Sequence, residues 1–352
     1  MNRLQWYIIL SLPLQILGLQ GLKRYPIEIE QYYSTLLYPW LFDLHRFFFK
    51  LLPFSLGDLF YFLILALIIG QLALFIRKPK ENFKKGVVRF IALISLVHFL
   101  FYLNWGLHYY RVPLAQKLNY DKKYSETQLI NTLEHLIKSA NNLHAQLVNE
   151  DTLGVQIPYD KKTLMLLLND TFVPLGTPSG IRPYSKNSIW SIPLSYMGYA
   201  GYLNPFTLEA QVNSRIPKLS FITTVVHEMA HQTGIAAENE ANFIAFYNTV
   251  QHSDPFIQYA GYTFALRYCY AELFKVRPEK AEEILSLIRP GIINNFKEQS
   301  AFWEMYKNPF EPYLKVGYDH YLKANGQVEG IQSYNAMVAL VVAYLKNTIE
   351  PI

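Results

Sequence analysis

Three apolar stretches near the start of the chain, at 4–22, 59–76 and 90–107, restrict its folding more than any other feature. Each is about 18 residues or slightly longer, enough as a helix to cross the ~30 Å hydrocarbon layer of a bilayer. The second is almost entirely leucine, isoleucine, phenylalanine and alanine. The first is interrupted by Gln5, Ser11, Pro13, Gln15 and Gln20, and the third by His98 and Asn104. No small-residue cleavage site follows the first stretch, so it reads as a retained helix and not as a removed leader. Three buried core helices are the competing reading, and the length of the stretches argues against it. Composition points the same way, because only 17% of the 352 residues are charged, against roughly a quarter in ordinary soluble proteins.

Arg77, Lys78, Lys80, Lys84, Lys85 and Arg89 crowd the connection between the second and third stretches, with Glu81 as the acidic exception. The positive-inside rule puts such a connection in the cytoplasm. The N-terminus is then expected inside, and everything after residue 107 outside. The segment 23–58 would also lie outside, where Tyr25, Tyr32, Tyr33, Tyr38, Trp40, Phe48 and Phe49 suit a membrane–water interface. His98 and His108 read as helix-packing residues, since neither has a visible charged partner in the sequence.

From Arg111 onward the pattern is that of a water-soluble domain, giving an expected division into a membrane anchor over 1–110 and an extracytoplasmic domain over 111–352. Ser125-Glu126-Thr127-Gln128 is a capping-box pattern, followed by Leu129, Leu133, Leu136, Ile137 and Ala140 at helical spacing. Glycine, proline and serine are then frequent up to Pro217, with short β-favouring pieces at 188–193 and 206–212. Helical patterning resumes near Leu219. The apolar piece 337–345 is too short to span a bilayer and reads as a core helix. The expected fold is thus N-terminal transmembrane helices followed by an α+β, mostly helical domain with a small sheet. No arginine-rich face or glycine-aromatic pattern suggests nucleic acid as a partner. One cysteine, Cys269, excludes an intrachain disulfide and a cysteine-rich metal site.

The chemistry-bearing pattern is His227-Glu228-Met229-Ala230-His231, inside a run free of proline and glycine. Four residues are just over one helical turn, so both imidazoles leave one face and can occupy adjacent corners of a zinc tetrahedron. Glu228 sits at the edge of that face, placed to act on a water at the open metal position without being a ligand. Two partly buried histidines packed for structural reasons are the bland alternative. Gly234 should end this helix in a left-handed turn, allowing the next helix to fold back beside it. That helix carries Glu238 and Glu240, about 200° apart around its axis, so only one of them can face the metal. Helical geometry by itself leaves the choice open.

The segment Glu238-x-Glu240-Ala241-Asn242 resembles the E-x-E-A-D segment of glutamate-type zinc peptidases, such as the membrane CAAX prenyl endopeptidases and related heat-shock proteases. That resemblance implies Glu238 as the third ligand and Asn242 in a supporting position, where those families have aspartate; the spacing from His231 is also shorter here. H-E-x-x-H-x-x-G is similar to metzincins too, but their third histidine position is Ala237 in this chain. Over nearly its whole length the chain resembles an uncharacterised family of bacterial multi-pass membrane proteins in the HExxH, gluzincin-like zinc peptidase superfamily. The shared segments are Leu52-Pro53-Phe54-Ser55-Leu56-Gly57-Asp58, Asn204-Pro205-Phe206-Thr207-Leu208-Glu209-Ala210, 227–242, and Tyr321 to Gln327 with Ser333-Tyr334.

Together these readings predict a zinc-dependent metallohydrolase of the bacterial inner membrane, a peptidase acting on extracytoplasmic or membrane-proximal peptides. His227, His231 and Glu238 would hold Zn2+ and Glu228 would serve as base. Tyr334 is the preferred oxyanion donor, with Tyr259, Tyr262 and His320 as other candidates. The strand near 206–213 is expected to align a substrate peptide by backbone pairing, with Glu209 and Asn213 read as solvated strand residues. A non-proteolytic zinc amidase and a catalytically silent zinc-site scaffold are the alternatives. The lipid bilayer and a peptide or protein substrate are the expected partners.

Overall fold

The computed structural model describes residues 3–77, 79–178, 180–327 and 334–349. Lys78 and Ser333 lie outside the described residues, as do the side chains of Lys80, Glu81, Lys84, Lys85 and Tyr334. The chain forms two compact units: 1–112 with Asn204–Glu209, and 113–203 with 210–352.

The first unit is helical: α1 (Arg3–Leu22), α2 (Pro26–Glu28), a π-helical stretch Ile29–Leu37, α3 (Tyr38–Phe49), α4 (Leu56–Arg77), α5 (Pro79–Asn104) and a short 3-10 turn Gly106–Tyr110. Two helices, Leu56–Arg77 and the part of α5 from Gly86 to Asn104, are long and apolar enough to cross a membrane, and almost none of either is buried in protein. The third expected span, α1, has the length but not the apolarity. Its polar residues are used against α5. Gln15 Nε2 donates to Ser11 Oγ (2.9 Å) and Ser95 Oγ (3.2 Å), Ser95 Oγ donates to the Ile8 carbonyl (2.6 Å), and Gln15 Oε1 meets His98 Nδ1 at 2.8 Å. His98 therefore has a partner that the sequence did not reveal.

His108 is buried by Tyr38, whose ring meets it edge-on at 4.2 Å, and its Nδ1 is 3.0 Å from Ser34 Oγ. Arg111 grips Glu30 through two nitrogens at 2.8 and 2.7 Å, a paired geometry suited to a largely buried ion pair. At the start of α4, the Gly57 amide donates to Glu209 Oε2 (2.7 Å), with Leu56 N and Ser55 Oγ at 3.4 Å. A carboxylate there answers both the unpaired amides and the positive end of the helix dipole. Glu209 is fully buried, so its expected role as a solvated strand residue is wrong: the amides of α4 replace water.

The second unit contains α6 (Leu114–Lys117), α7 (Glu126–Leu147), α8 (Lys161–Thr171), β1 (Ser185–Asn187), α9 (Ser191–Met197), β2 (Gly201–Leu203), β3 (Ala210–Val212), α10 (Lys218–Gln232), α11 (Glu238–Val250), α12 (Pro255–Val276), α13 (Pro278–Leu285), α14 (Pro290–Tyr306), α15 (Glu311–Ala324) and α16 (Tyr334–Ile349). The capping box at Ser125 forms, with the side chain and backbone of Ser125 and Gln128 satisfying each other. The core joins Leu133, Leu136 and Ile137 of α7, Phe221, Ile222 and Val225 of α10, Phe243 and Phe246 of α11, and Leu266 and Cys269 of α12. Gly261 lets α12 approach α11, because a Cβ there would collide with Thr249. Met337, Val338, Leu340 and Val341 of α16 are buried, as expected of a core helix.

The sheet has the order β1-β3-β2, with β3 parallel to β1 and antiparallel to β2. Three expectations fail here. The piece 188–193 is not a strand: Trp190 and Ser191 open α9, and Pro193 in the first turn is compatible with a helix start. β3 is the central strand, so both its edges are occupied and no peptide can pair with it. Asn213, just past β3, is buried and donates to Ser195 Oγ (2.9 Å) and the Tyr199 carbonyl (3.1 Å), so it is not solvated either.

Candidate metal centre

The run before His227 forms α10 because nothing in it breaks a helix, and its apolar positions bury against the core. After Gln232 the chain reverses at Gly234 with φ +86°, a left-handed conformation that a side chain would strain. Gly234 N donates to the His231 carbonyl (3.0 Å), closing the helix end. Only Ile235 to Ala237 separate this turn from α11, so the first residue of α11, Glu238, returns beside the two histidines.

His227, His231 and Glu238 each direct one donor atom into a common space, with these atoms all within 4.8 Å of one another. The two Nε2 atoms are 3.1 Å apart, His227 Nε2 is 3.3 Å from Glu238 Oε2, and His231 Nε2 is 3.8 Å from Glu238 Oε1. Donors at ~2.0–2.1 Å from a tetrahedral zinc are spaced about 3.3 Å apart. The imidazole pair and the His227–Glu238 contact match that spacing and the His231–Glu238 approach is wider, so the set fits such an ion with a small inward turn of the Glu238 carboxylate.

Both imidazoles are oriented from behind. His227 Nδ1 lies 2.9 Å from Asn242 Oδ1, and His231 Nδ1 lies 2.6 Å from the Ile235 carbonyl. Each contact selects the tautomer with hydrogen on Nδ1 and leaves the Nε2 lone pair for a metal. Asn242 is one turn beyond Glu238 on α11, so the helix that supplies the ligand also supplies this support. Glu240 faces elsewhere and accepts from the Leu114 amide at 2.7 Å. Tertiary geometry thus distinguishes the two glutamates that helical periodicity left open.

The electrostatics follow from burial. Burial depresses the His231 imidazole to about 4, with the Glu238 charge opposing and that of His227 assisting. At His227 burial also lowers the pKa, but the hydrogen bond with Glu238 and the charges of Glu228 and Glu238 reverse it, leaving it raised. Burial raises Glu238, yet the hydrogen bond with His227, the charges of both histidines and the hydrogen bond from Tyr318 bring it down to about 2. A carboxylate held ionised beside two imidazoles is a ready cation ligand.

Glu228 is buried and pushed up to about 8 by burial, against the His227 charge and with the help of Glu238. Its Oε2 has no hydrogen-bond partner among the described residues, the condition of a group shaped for something absent from the protein itself. Gly201 of β2 makes room for it: a Cβ at 201 would stand 2.7 Å from Glu228 Oε1 and 2.8 Å from the Gln211 carbonyl.

Two residues at this centre had no sequence signal. Gly201 is one of 17 glycines and Tyr318 one of 27 tyrosines. Tyr318 Oη donates to Glu238 Oε1 at 2.6 Å, with the Tyr199 ring packed edge-on against it at 5.6 Å. The other tyrosine candidates lie elsewhere. Tyr259 is buried and donates to Asn295 Oδ1, and Tyr262 packs beside His135 and Phe246. Tyr334 begins α16, and its side chain is outside the described set.

A family model described as Protein of unknown function (DUF3810) matches residues 33–342, most of the chain. The chain belongs to the DUF3810 family. The match runs through α10 and α11 and so includes the whole His227–Asn242 constellation. No curated protein and no solved structure matches the chain.

Proposed function

We propose that the protein is a membrane-anchored, zinc-dependent metallohydrolase, with a peptide as its substrate. The observation that carries this reading is the convergence of His227 Nε2, His231 Nε2 and the Glu238 carboxylate on one space, with one donor atom from each all within 4.8 Å of one another, beside a buried Glu228. His227, His231 and Glu238 would hold the ion. When bound there, zinc supplies Lewis acidity toward a carbonyl and toward water. Glu228, raised by burial, would shift back toward its ionised form beside a cation held by these ligands. Ionised Glu228 would accept a proton from the attacking water through Oε2, which has no hydrogen-bond partner among the described residues, and return it to the leaving nitrogen. Asn242 and the Ile235 carbonyl keep both imidazoles turned toward the ion throughout.

A peptide substrate is favoured by the place of β2. It is an outer strand of the sheet, and its Gly201 touches Glu228. An extended chain added along that edge would run its own carbonyls past the base. This moves the substrate-aligning role from the region 206–213 to 201–203. The zincin-like reading of the second unit rests on the same helix pair, α10 and α11, with the small sheet beside it. Membrane anchoring rests on α4 and α5, whose apolar faces are left uncovered, with α1 held to α5 by the Gln15 hydrogen bonds as a third span. The basic connection between α4 and α5 favours a cytoplasmic loop and an extracytoplasmic second unit.

The test is made on the full chain purified in detergent. Zinc is measured per chain for the wild type and for His231→Ala, and a diverse peptide library is then incubated with the wild type and with Glu228→Gln. One zinc per wild-type chain, lost in His231→Ala, with cleavage lost in Glu228→Gln, is the expected result. Equal and negligible zinc in both proteins would overturn the metal reading, and zinc without any peptide cleavage would overturn the peptidase reading alone.

A further inference from the structure

The two oxygens of Glu238 are not equivalent. Oε2 lies 3.3 Å from His227 Nε2, while Oε1 is 3.8 Å from His231 Nε2 and accepts from Tyr318 Oη at 2.6 Å. The latter distance is that of a short, charge-assisted O–H···O bond. One carboxylate oxygen, Oε1, is therefore held by a phenol before any ion arrives, and the other, Oε2, is the one in contact with His227 Nε2.

We propose that Tyr318 is a positioning residue that restricts Glu238 to one-oxygen coordination and so keeps a fourth position of the metal open. The inference rests on the metal reading above and adds to it the reason why the site would leave room for water. A carboxylate free to offer both oxygens can fill two positions on the ion. With Oε1 engaged by the Tyr318 hydroxyl, Glu238 supplies one. The remaining corner of the tetrahedron then stays available, which separates a catalytic zinc site from a closed structural one.

Tyr318 is suited to such a role by its mounting. It comes from α15, far in sequence from the metal helices, and its ring is braced edge-on by Tyr199 at 5.6 Å and stacked near Tyr321 at 6.1 Å. Tyr199 follows the Gly198 turn, where φ is +77°. The phenol is thus fixed from two sides and meets Glu238 from a direction independent of α11.

The experiment uses the full chain in detergent, loaded with Co2+ as a spectroscopic substitute for zinc. Tyr318→Phe removes the hydroxyl and keeps the ring against Tyr199, so the fold should survive; circular dichroism checks this. In the wild type the visible cobalt bands should have the intensity of a four-coordinate ion. In Tyr318→Phe they should weaken toward those of a higher-coordinate ion, and metal affinity should fall about 10–100-fold. Tyr313→Phe, at a position 78% exposed on the same helix, should change neither reading. An unaltered spectrum and affinity in Tyr318→Phe, with the wild type loaded, would overturn the role of Tyr318 and leave the metal site standing. A wild type that binds no cobalt and no zinc would overturn the metal reading, and this role with it.

Discussion

His98 in the first unit and His227 in the second are both fixed through Nδ1 by a side-chain amide oxygen, that of Gln15 at 2.8 Å and that of Asn242 at 2.9 Å. They differ in their other partners. Around His98 the neighbours are hydroxyls and an amide that satisfy one another, a polar seam between two otherwise apolar helices. Around His227 the Nε2 atom meets a second imidazole and a carboxylate converging on the same space. Support from behind is common to both; convergence in front belongs to one. Apolar surface follows the same division. α4 leaves Phe62, Leu63, Leu67, Ile68 and Leu72 exposed, whereas α10 buries Leu219, Phe221, Ile222 and Val225. The exposed face of α4 suits lipid, where polar groups must pair internally, and α10 suits a core that can carry a polar cluster only if something compensates it.

The difference is tested most severely by removing a converging ligand. Glu238→Ala should reduce zinc from one per chain to background, measured by atomic absorption, while His98→Ala should leave it unchanged. Equal zinc in all three proteins would erase the distinction. Glu228→Gln comes next: zinc content should persist while hydrolysis falls by at least about 10²-fold, the range expected for losing a general base. Gly201→Ala should act in the same direction, since its methyl would displace the Glu228 carboxylate without touching a ligand.

Asn242→Ala should weaken metal binding by about 10–100-fold, as measured by chelator competition. Proton competition sharpens the point. A metal must displace the proton on His227, whose pKa is raised by the Glu238 hydrogen bond and by the Glu228 and Glu238 charges despite burial. Affinity should therefore be level above that raised pKa and decline about tenfold per pH unit below it. His231, depressed to about 4, adds no proton to displace near neutrality. The smallest effect belongs to the seam. Gln15→Leu should destabilise the α1–α5 pairing by about 0.6 kcal/mol, typical of a single interhelical hydrogen bond in a bilayer, with zinc unaffected. Hydrogen exchange along α1 would register it.

Much of this contrast was already legible in residue order. Length and apolarity marked α4 and α5, the four-residue step placed His227 and His231 on one face, and Gly234 signalled the reversal between α10 and α11. Each depends on local periodicity or on one residue's backbone freedom, which short windows record. The sheet was less legible. Its strands are three residues each, too short for alternation to declare itself, and serine and isoleucine at 188–193 suggested a strand where Pro193 enters a helix. The central place of β3 depends on pairing across sequence gaps that local patterns do not encode.

The sequence by itself therefore determined the chemical types and their first spacing: two histidines one turn apart, a glutamate between them, and a glutamate pair beyond a glycine turn. Tertiary structure decided which glutamate faces the imidazoles, because Glu240 is occupied by the Leu114 amide and Glu238 is not. It also brought Gly201 against Glu228 and Tyr318 against Glu238, contacts between residues 27 and 80 positions apart. Long-range packing alone sets such contacts, since a helix or strand fixes the direction of a side chain but not what it meets.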